Sequence, residues 1–66
     1  MSLPAGKTHA DALRRAAELK RQLWSDARWL RVPEDRRIEE LNRLCTALYG
    51  GDKDAGLGLA REAIYA

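Results

Sequence analysis

The apolar positions of this chain fall into three helical stripes separated by two breaks. Between residues 8 and 31 there is neither glycine nor proline, and at about 100° per residue Ala12, Leu13, Ala16, Ala17, Leu19, Leu23, Trp24, Ala27 and Leu30 share one wide arc. The pattern predicts a first helix over about 8–31, alanine-rich toward its start, where a neighbour can approach closely, and bulkier toward its end. Thr8 followed by Asp11 has the spacing of a capping box. Pro33 drives Val32 out of the α region and opens a second helix over about 33–49, with Glu34 and Asp35 favoured by the dipole in its first turn. Its stripe is Ile38, Leu41, Leu44, Cys45, Leu48 and Tyr49. Gly50-Gly51 ends it, the first glycine being free to take the left-handed conformation. Asp52 then caps a shorter helix over about 53–65 with Leu57, Ala60 and Ile64 as apolar points. Gly56 and Gly58 each cost that helix about 1 kcal/mol relative to alanine, so it depends on tertiary contact.

These elements predict an all-α antiparallel helical hairpin of two main helices with a short C-terminal helix. Residues 1–7, with Pro4 and Gly6 and no periodicity, read as a flexible arm ahead of a single helical domain at 8–66. A chain of 66 residues buries only about 60% of its unfolded-state surface. Small domains recover that deficit through disulfides, a metal or oligomerisation, and one cysteine with one histidine leaves the last of these. The expectation is a symmetric dimer joined through Leu13, Ala16, Leu19 and Leu23 of the first helix and Ile38, Leu41 and Leu48 of the second. A lone cysteine fits a reducing compartment, no apolar run approaches the roughly 20 residues of a membrane span, and no secretory signal is evident. The chain reads as cytoplasmic, without a membrane partner.

One residue breaks the pattern. Trp29 lies roughly 120° outside the apolar arc, beside Gln22, Ser25 and Asp26. Tryptophan and arginine are the residues most enriched in interface hot spots, so Trp29 with Arg28, Arg31 and Trp24 forms the candidate partner-binding surface. The competing expectation is burial of Trp29 under the turn at 31–33 or in the dimer seam.

The net charge of +2 is small but unevenly placed, residues 1–31 carrying +4 and the remainder −2. That asymmetry suits halves lying against each other more than the dense basic patch of a nucleic-acid binder. Nine of the twelve basic residues are arginines, whose planar fork binds carboxylate or phosphate bidentately. Helical spacing pairs Asp11 with Arg15, Glu39 with Arg43 and Arg36 with Glu40, leaving much of the charge as a self-paired surface. Arg14, Arg21 and Arg28 recur every seven residues, in a row that suits either a phosphate backbone or the acidic second helix of a partner subunit. The second is favoured, because a DNA-reading helix-turn-helix normally has shorter helices.

Catalytic and metal chemistry finds little support. Ala5-Gly6-Lys7-Thr8 resembles the end of a phosphate-binding loop but lacks the earlier glycine and the preceding strand. Gly56-Leu57-Gly58 is no dinucleotide fingerprint, since Arg61 stands at the third glycine position. Asp52, Asp54 and Gly56 imitate a calcium loop, but Ala63 occupies the twelfth position, where a bidentate glutamate is needed. His9 has no partner at metal-ligand spacing, Cys45 has no local histidine and reads as a small core residue, and Glu39 and Glu40 point to different faces. No enzyme activity, cofactor or metal is expected.

The cap at Thr8, the long stripe, the Val32-Pro33 turn and the Gly50-Gly51 stop together resemble the small helical anti-activators and host-takeover proteins of phages and mobile elements, including those that silence quorum-sensing regulators. The resemblance covers Thr8 to Gly51 and is architectural, without a diagnostic motif. It implies a helical dimer that binds a transcription factor and keeps it from DNA. The chain lacks the strong negative charge of a DNA mimic. The functional expectation is therefore a small regulatory homodimer that binds and inhibits a larger cytoplasmic protein such as a transcription factor. The alternatives are a small DNA-binding repressor or accessory factor using the Arg14/Arg21/Arg28 row, and a structural subunit of a larger assembly.

Overall fold

A computed structural model describes residues 8–65, and these form four helices with no strand among the described residues: α1 (His9–Ser25), α2 (Ala27–Leu30), α3 (Glu34–Leu48) and α4 (Lys53–Tyr65). The arm expected at 1–7 lies outside the described residues. Each helix start has a local cause. Thr8 closes a capping box with Asp11, its hydroxyl accepting from the Asp11 N–H at 3.2 Å while the Asp11 carboxylate accepts from the Thr8 N–H at 3.1 Å. Asp52 accepts from the Ala55 N–H at 3.1 Å and so caps α4. Pro33 precedes α3 in extended backbone, and its carbonyl accepts the first helical bond from Arg37 at 3.2 Å.

Gly50 and Gly51 hold φ of 65° and 95°, which a residue with a Cβ adopts only at a cost. The Gly50 N–H donates to the Ala47 carbonyl at 3.1 Å and the Gly51 N–H to the Thr46 carbonyl at 2.9 Å. This pair of bonds is a Schellman motif, and it reverses the chain so that α4 returns along α3.

The first helix does not run to residue 31. Asp26 leaves the helical region at φ −70°, ψ 127°, and its carboxylate accepts the Arg28 N–H at 2.9 Å, so it both ends α1 and caps α2. The Ser25 hydroxyl bonds back to the Arg21 carbonyl one turn earlier, a contact that loosens a helix end. A Ser-Asp pair therefore competes successfully with helix continuation even where apolar periodicity persists.

The core consists of Ala12, Ala16, Leu23, Leu41, Cys45, Tyr49, Leu59, Ala60 and Ala63, drawn from α1, the α3 segment with its cap, and α4. The three long helices pack pairwise, with α3 and α4 the most extensively joined. The C-terminal helix is thus a full partner in a three-helix arrangement rather than an appendage to a hairpin. Its packing depends on Gly56. A Cβ at that position would lie 2.4 Å from Thr46 Oγ1 and 2.5 Å from Thr46 Cα, so α4 approaches the α3 backbone more closely than alanine permits.

The residues expected in a dimer seam are placed largely within one chain. Ala16, Leu23 and Leu41 are buried within a single chain, and Leu13, Leu19 and Leu48 are half-buried against the same core. The two stripes find each other and α4 inside one protomer, so most of the surface assigned to a second copy is already used. Of the seven residues, Ile38 alone stands apart from that core, half-buried in an open groove between α3 and α4.

Candidate protein-binding surface

The break at Asp26 accounts for the misplaced tryptophan. On a continuous helix Leu30 faces the core and Trp29 faces solvent; with the chain redirected at Asp26, Trp29 packs against the core and Leu30 is 59% exposed. The irregular segment is held by Asp26 and Arg28, whose Nη2 and Nε donate to the two carboxylate oxygens at 2.9 and 3.3 Å. Those side-chain bonds, with the Arg28 backbone N–H, hold the Asp26 carboxyl below its ordinary range and raise Arg28 in turn.

Trp29 forms one wall of an open groove of about 600 Å³ where α2 meets α3, with Val32 and Pro33 as its apolar floor and Arg36, Glu39 and Arg43 along its edges. Arg43 is committed to Glu40, its Nε donating at 3.2 Å. Arg28, Trp29 and Val32 also line a second shallow depression of about 340 Å³. A half-buried tryptophan that packs against the core and lines two open depressions has the anatomy of an interface anchor: an apolar face, little side-chain freedom left to lose and charged groups nearby.

The four residues expected to meet a partner are therefore not equivalent. Trp29 and Arg28 stand together at this corner. Arg31 is exposed as the C-cap of α2 and lines neither depression. Trp24 is half-buried against the core, with the Arg37 guanidinium 5.1 Å from its ring centroid. That cation–π cover removes Trp24 from the candidate surface. The Arg37 Nε is buried without a hydrogen-bond partner, which marks how firmly the side chain is drawn over the ring.

Helix geometry also re-pairs the charges. Arg15 meets Glu18 at 3.1 Å, Arg43 meets Glu40, and Arg14 lies 3.6 Å from Asp11, so the pairs form at i,i+3 where i,i+4 partners were expected. All lie toward solvent and contribute little individually. Two members of the Arg14/Arg21/Arg28 row are thus occupied by carboxylates, and the break at Asp26 puts Arg28 on a different helix from the other two.

His9 has partners that sequence spacing did not indicate. Its Nδ1 is hydrogen-bonded to the Tyr49 hydroxyl and its Nε2 lies 3.1 Å from Glu62, joining the start of α1 to the end of α3 and to α4. With Nε2–H donating to Glu62, Nδ1 is free to accept from the otherwise buried Tyr49 hydroxyl, so both polar ends are satisfied. The partners are 40 and 53 residues away, beyond any local pattern. Burial pushes the Cys45 thiol up to about 11, consistent with a core side chain. Among the described residues, no group of three or more His, Cys, Asp or Glu is placed to hold a metal ion, and no helix is long and apolar enough to cross a membrane. Comparison with protein-family models, curated proteins and solved structures returns no match.

Proposed function

We propose that this chain is a small regulatory protein-binding module that docks on a larger protein through the Trp29 corner. The observation that carries the reading is Trp29 itself, packed against the core and lining two open depressions, one of which also has Val32 and Pro33 as apolar lining. The partner that fits presents an apolar side chain to that lining and a carboxylate to Arg36 or Arg31, neither of which has an ion-pair partner within the chain among the described residues. Inhibition follows if the occupied surface is one that the larger protein needs for its own contacts. A cytoplasmic transcription factor is the target class that the anti-activator resemblance implies, and a homodimer is the form it implies. The DNA-binding reading loses ground because two of its three arginines are already paired.

The test is capture from lysate by the wild-type chain, Trp29→Ala and Arg36→Glu, with helicity of each checked by circular dichroism. A defined protein that is retained by the wild type and lost by both variants supports the docking surface. Retention by both variants sinks it, and capture abolished by nuclease shifts the account to nucleic acid. Arg36→Glu matters because Trp29→Ala also removes packing from the core, whereas Arg36 is exposed.

A further inference from the structure

We infer that the open groove between the first half of α3 and α4 is where two copies of this chain meet. A groove of about 320 Å³ runs between these helices, lined by Ile38, Leu57, Ile64 and Tyr65 together with Glu34 and Arg61. Glu34 and Ile38 are one turn apart on α3, and Leu57, Arg61, Ile64 and Tyr65 follow i, i+4, i+7 and i+8 on α4, so each helix contributes one continuous stripe. On α3, Glu34 and Ile38 continue the stripe of Leu41 and Cys45 toward the start of the helix; on α4, Ile64 is half-buried against the core, and Leu57, Arg61 and Tyr65 are exposed beside it. Leu57 is 43% and Tyr65 83% exposed, an apolar load that a chain with so small a core has reason to cover.

The charges on this face point to a second copy as the occupant. Among the described residues Glu34 and Arg61 make no ion pair, unlike Asp11, Glu18, Asp26 and Glu40, which pair with neighbouring arginines. A face with an apolar centre, one unpaired acid and one unpaired base is complementary to itself. A two-fold axis forms the Glu34–Arg61 pair twice, once from each side, whereas a partner of single sign leaves one of the two charges opposed. The face is also independent of the Trp29 corner. Arg36 and Arg43 lie about 160° and 140° around α3 from Ile38, so both surfaces can be occupied at once. The inference rests on the dimeric part of the proposed reading and not on its docking part.

Sedimentation and light scattering of the full chain, from low micromolar to submillimolar concentration, test this directly. The wild type is expected to dimerise reversibly. Leu57→Asp should weaken the dimer by at least about 30-fold, and Glu34→Arg or Arg61→Glu alone by about tenfold at low salt. The double reversal should recover most of the wild-type affinity, a result that no loss of fold can imitate. All three positions are exposed, and circular dichroism checks that helicity is kept. A wild type that stays monomeric, a dimer indifferent to Leu57→Asp, or a double reversal no better than its singles would each overturn the inference. Trp29→Ala separates the two surfaces: it should leave the dimer intact while abolishing capture of the larger protein, and a dimer broken by Trp29→Ala would place the seam at the wrong face.

Discussion

Gly56 and Gly58 look alike in the sequence, and the structure assigns opposite signs to their replacement by alanine. Both lie inside α4, so each substitution gains about 1 kcal/mol of helix propensity. At Gly58 nothing lies within 4 Å of the new Cβ, and that gain stands alone. At Gly56 the Cβ arrives 2.4 Å from Thr46 Oγ1, 2.5 Å from Thr46 Cα and 2.6 Å from Thr46 N. The hydroxyl is already bonded to the Asn42 carbonyl at 2.8 Å, and the other two atoms are backbone, so none can rotate away. The helices must separate by roughly 1 Å, loosening Leu59, Ala60 and Cys45 at the centre of the core. Overpacking of a rigid site costs about 3 kcal/mol, the upper end of its usual range. After the propensity gain, Gly56→Ala should lose about 2 kcal/mol net, lowering Tm by roughly 10 °C, and Gly58→Ala should raise it by about 5 °C. Urea and thermal unfolding followed at 222 nm measure both. Equal shifts of the same sign, or a Gly56→Ala protein as stable as wild type, would refute the close approach of α4 to α3.

Three further outcomes follow from single contacts. Cys45 should resist a disulfide reagent in the folded chain and react on unfolding; because burial raises its pKa from 9.0 to about 11, stability should be full below pH 9 and fall as pH rises toward 11, by at most about 3 kcal/mol in unfolding titrations. Asp26 shifts the opposite way, so the stability of α2 is present above the ordinary carboxylate value and lost as pH falls below it; in a Trp24→Phe background, Trp29 fluorescence should shift to the red on acidification, and Asp26→Ala should show the shifted spectrum already at neutral pH. A double-mutant cycle between His9→Ala and Tyr49→Phe should yield a coupling of about 1 kcal/mol in urea unfolding, and a coupling near zero would mean the hydrogen bond adds nothing to stability.

Local physics made the element ends readable. Thr8 with Asp11, Pro33, Gly50-Gly51 and Asp52 act within a few residues of themselves, and each does in the structure what its chemistry requires. The break at Asp26 is equally local, yet the apolar repeat on both sides of it masked the capping signal. Trp29 held the clue: a tryptophan 120° off the stripe is inconsistent with a straight helix, and the inconsistency is removed by ending the helix at Ser25. What periodicity could not reveal is which stripes meet. Apolar faces on α1 and α3 read identically whether they cover each other, α4 or a second chain. The His9–Tyr49–Glu62 contact and the cover of Trp24 by Arg37 likewise depend on tertiary proximity alone.

The glycine that sequence propensity counts against α4 is the feature that brings α4 into the fold. Four of the nine core residues are alanines, and the largest fully buried side chains are Leu41, Leu59 and Cys45. Side chains of that size fill a core only if the backbones come close, and Gly56 against Thr46 is where they do. Such a core buries little apolar area per residue, so it gains less than one built from large side chains of the same count. Two larger apolar groups of α4, Leu57 and Tyr65, are left exposed outside that core. Close packing through small residues and exposed apolar groups are therefore two results of one arrangement: the helix turns its glycine and alanines inward to fit, and Leu57 and Tyr65 remain outside.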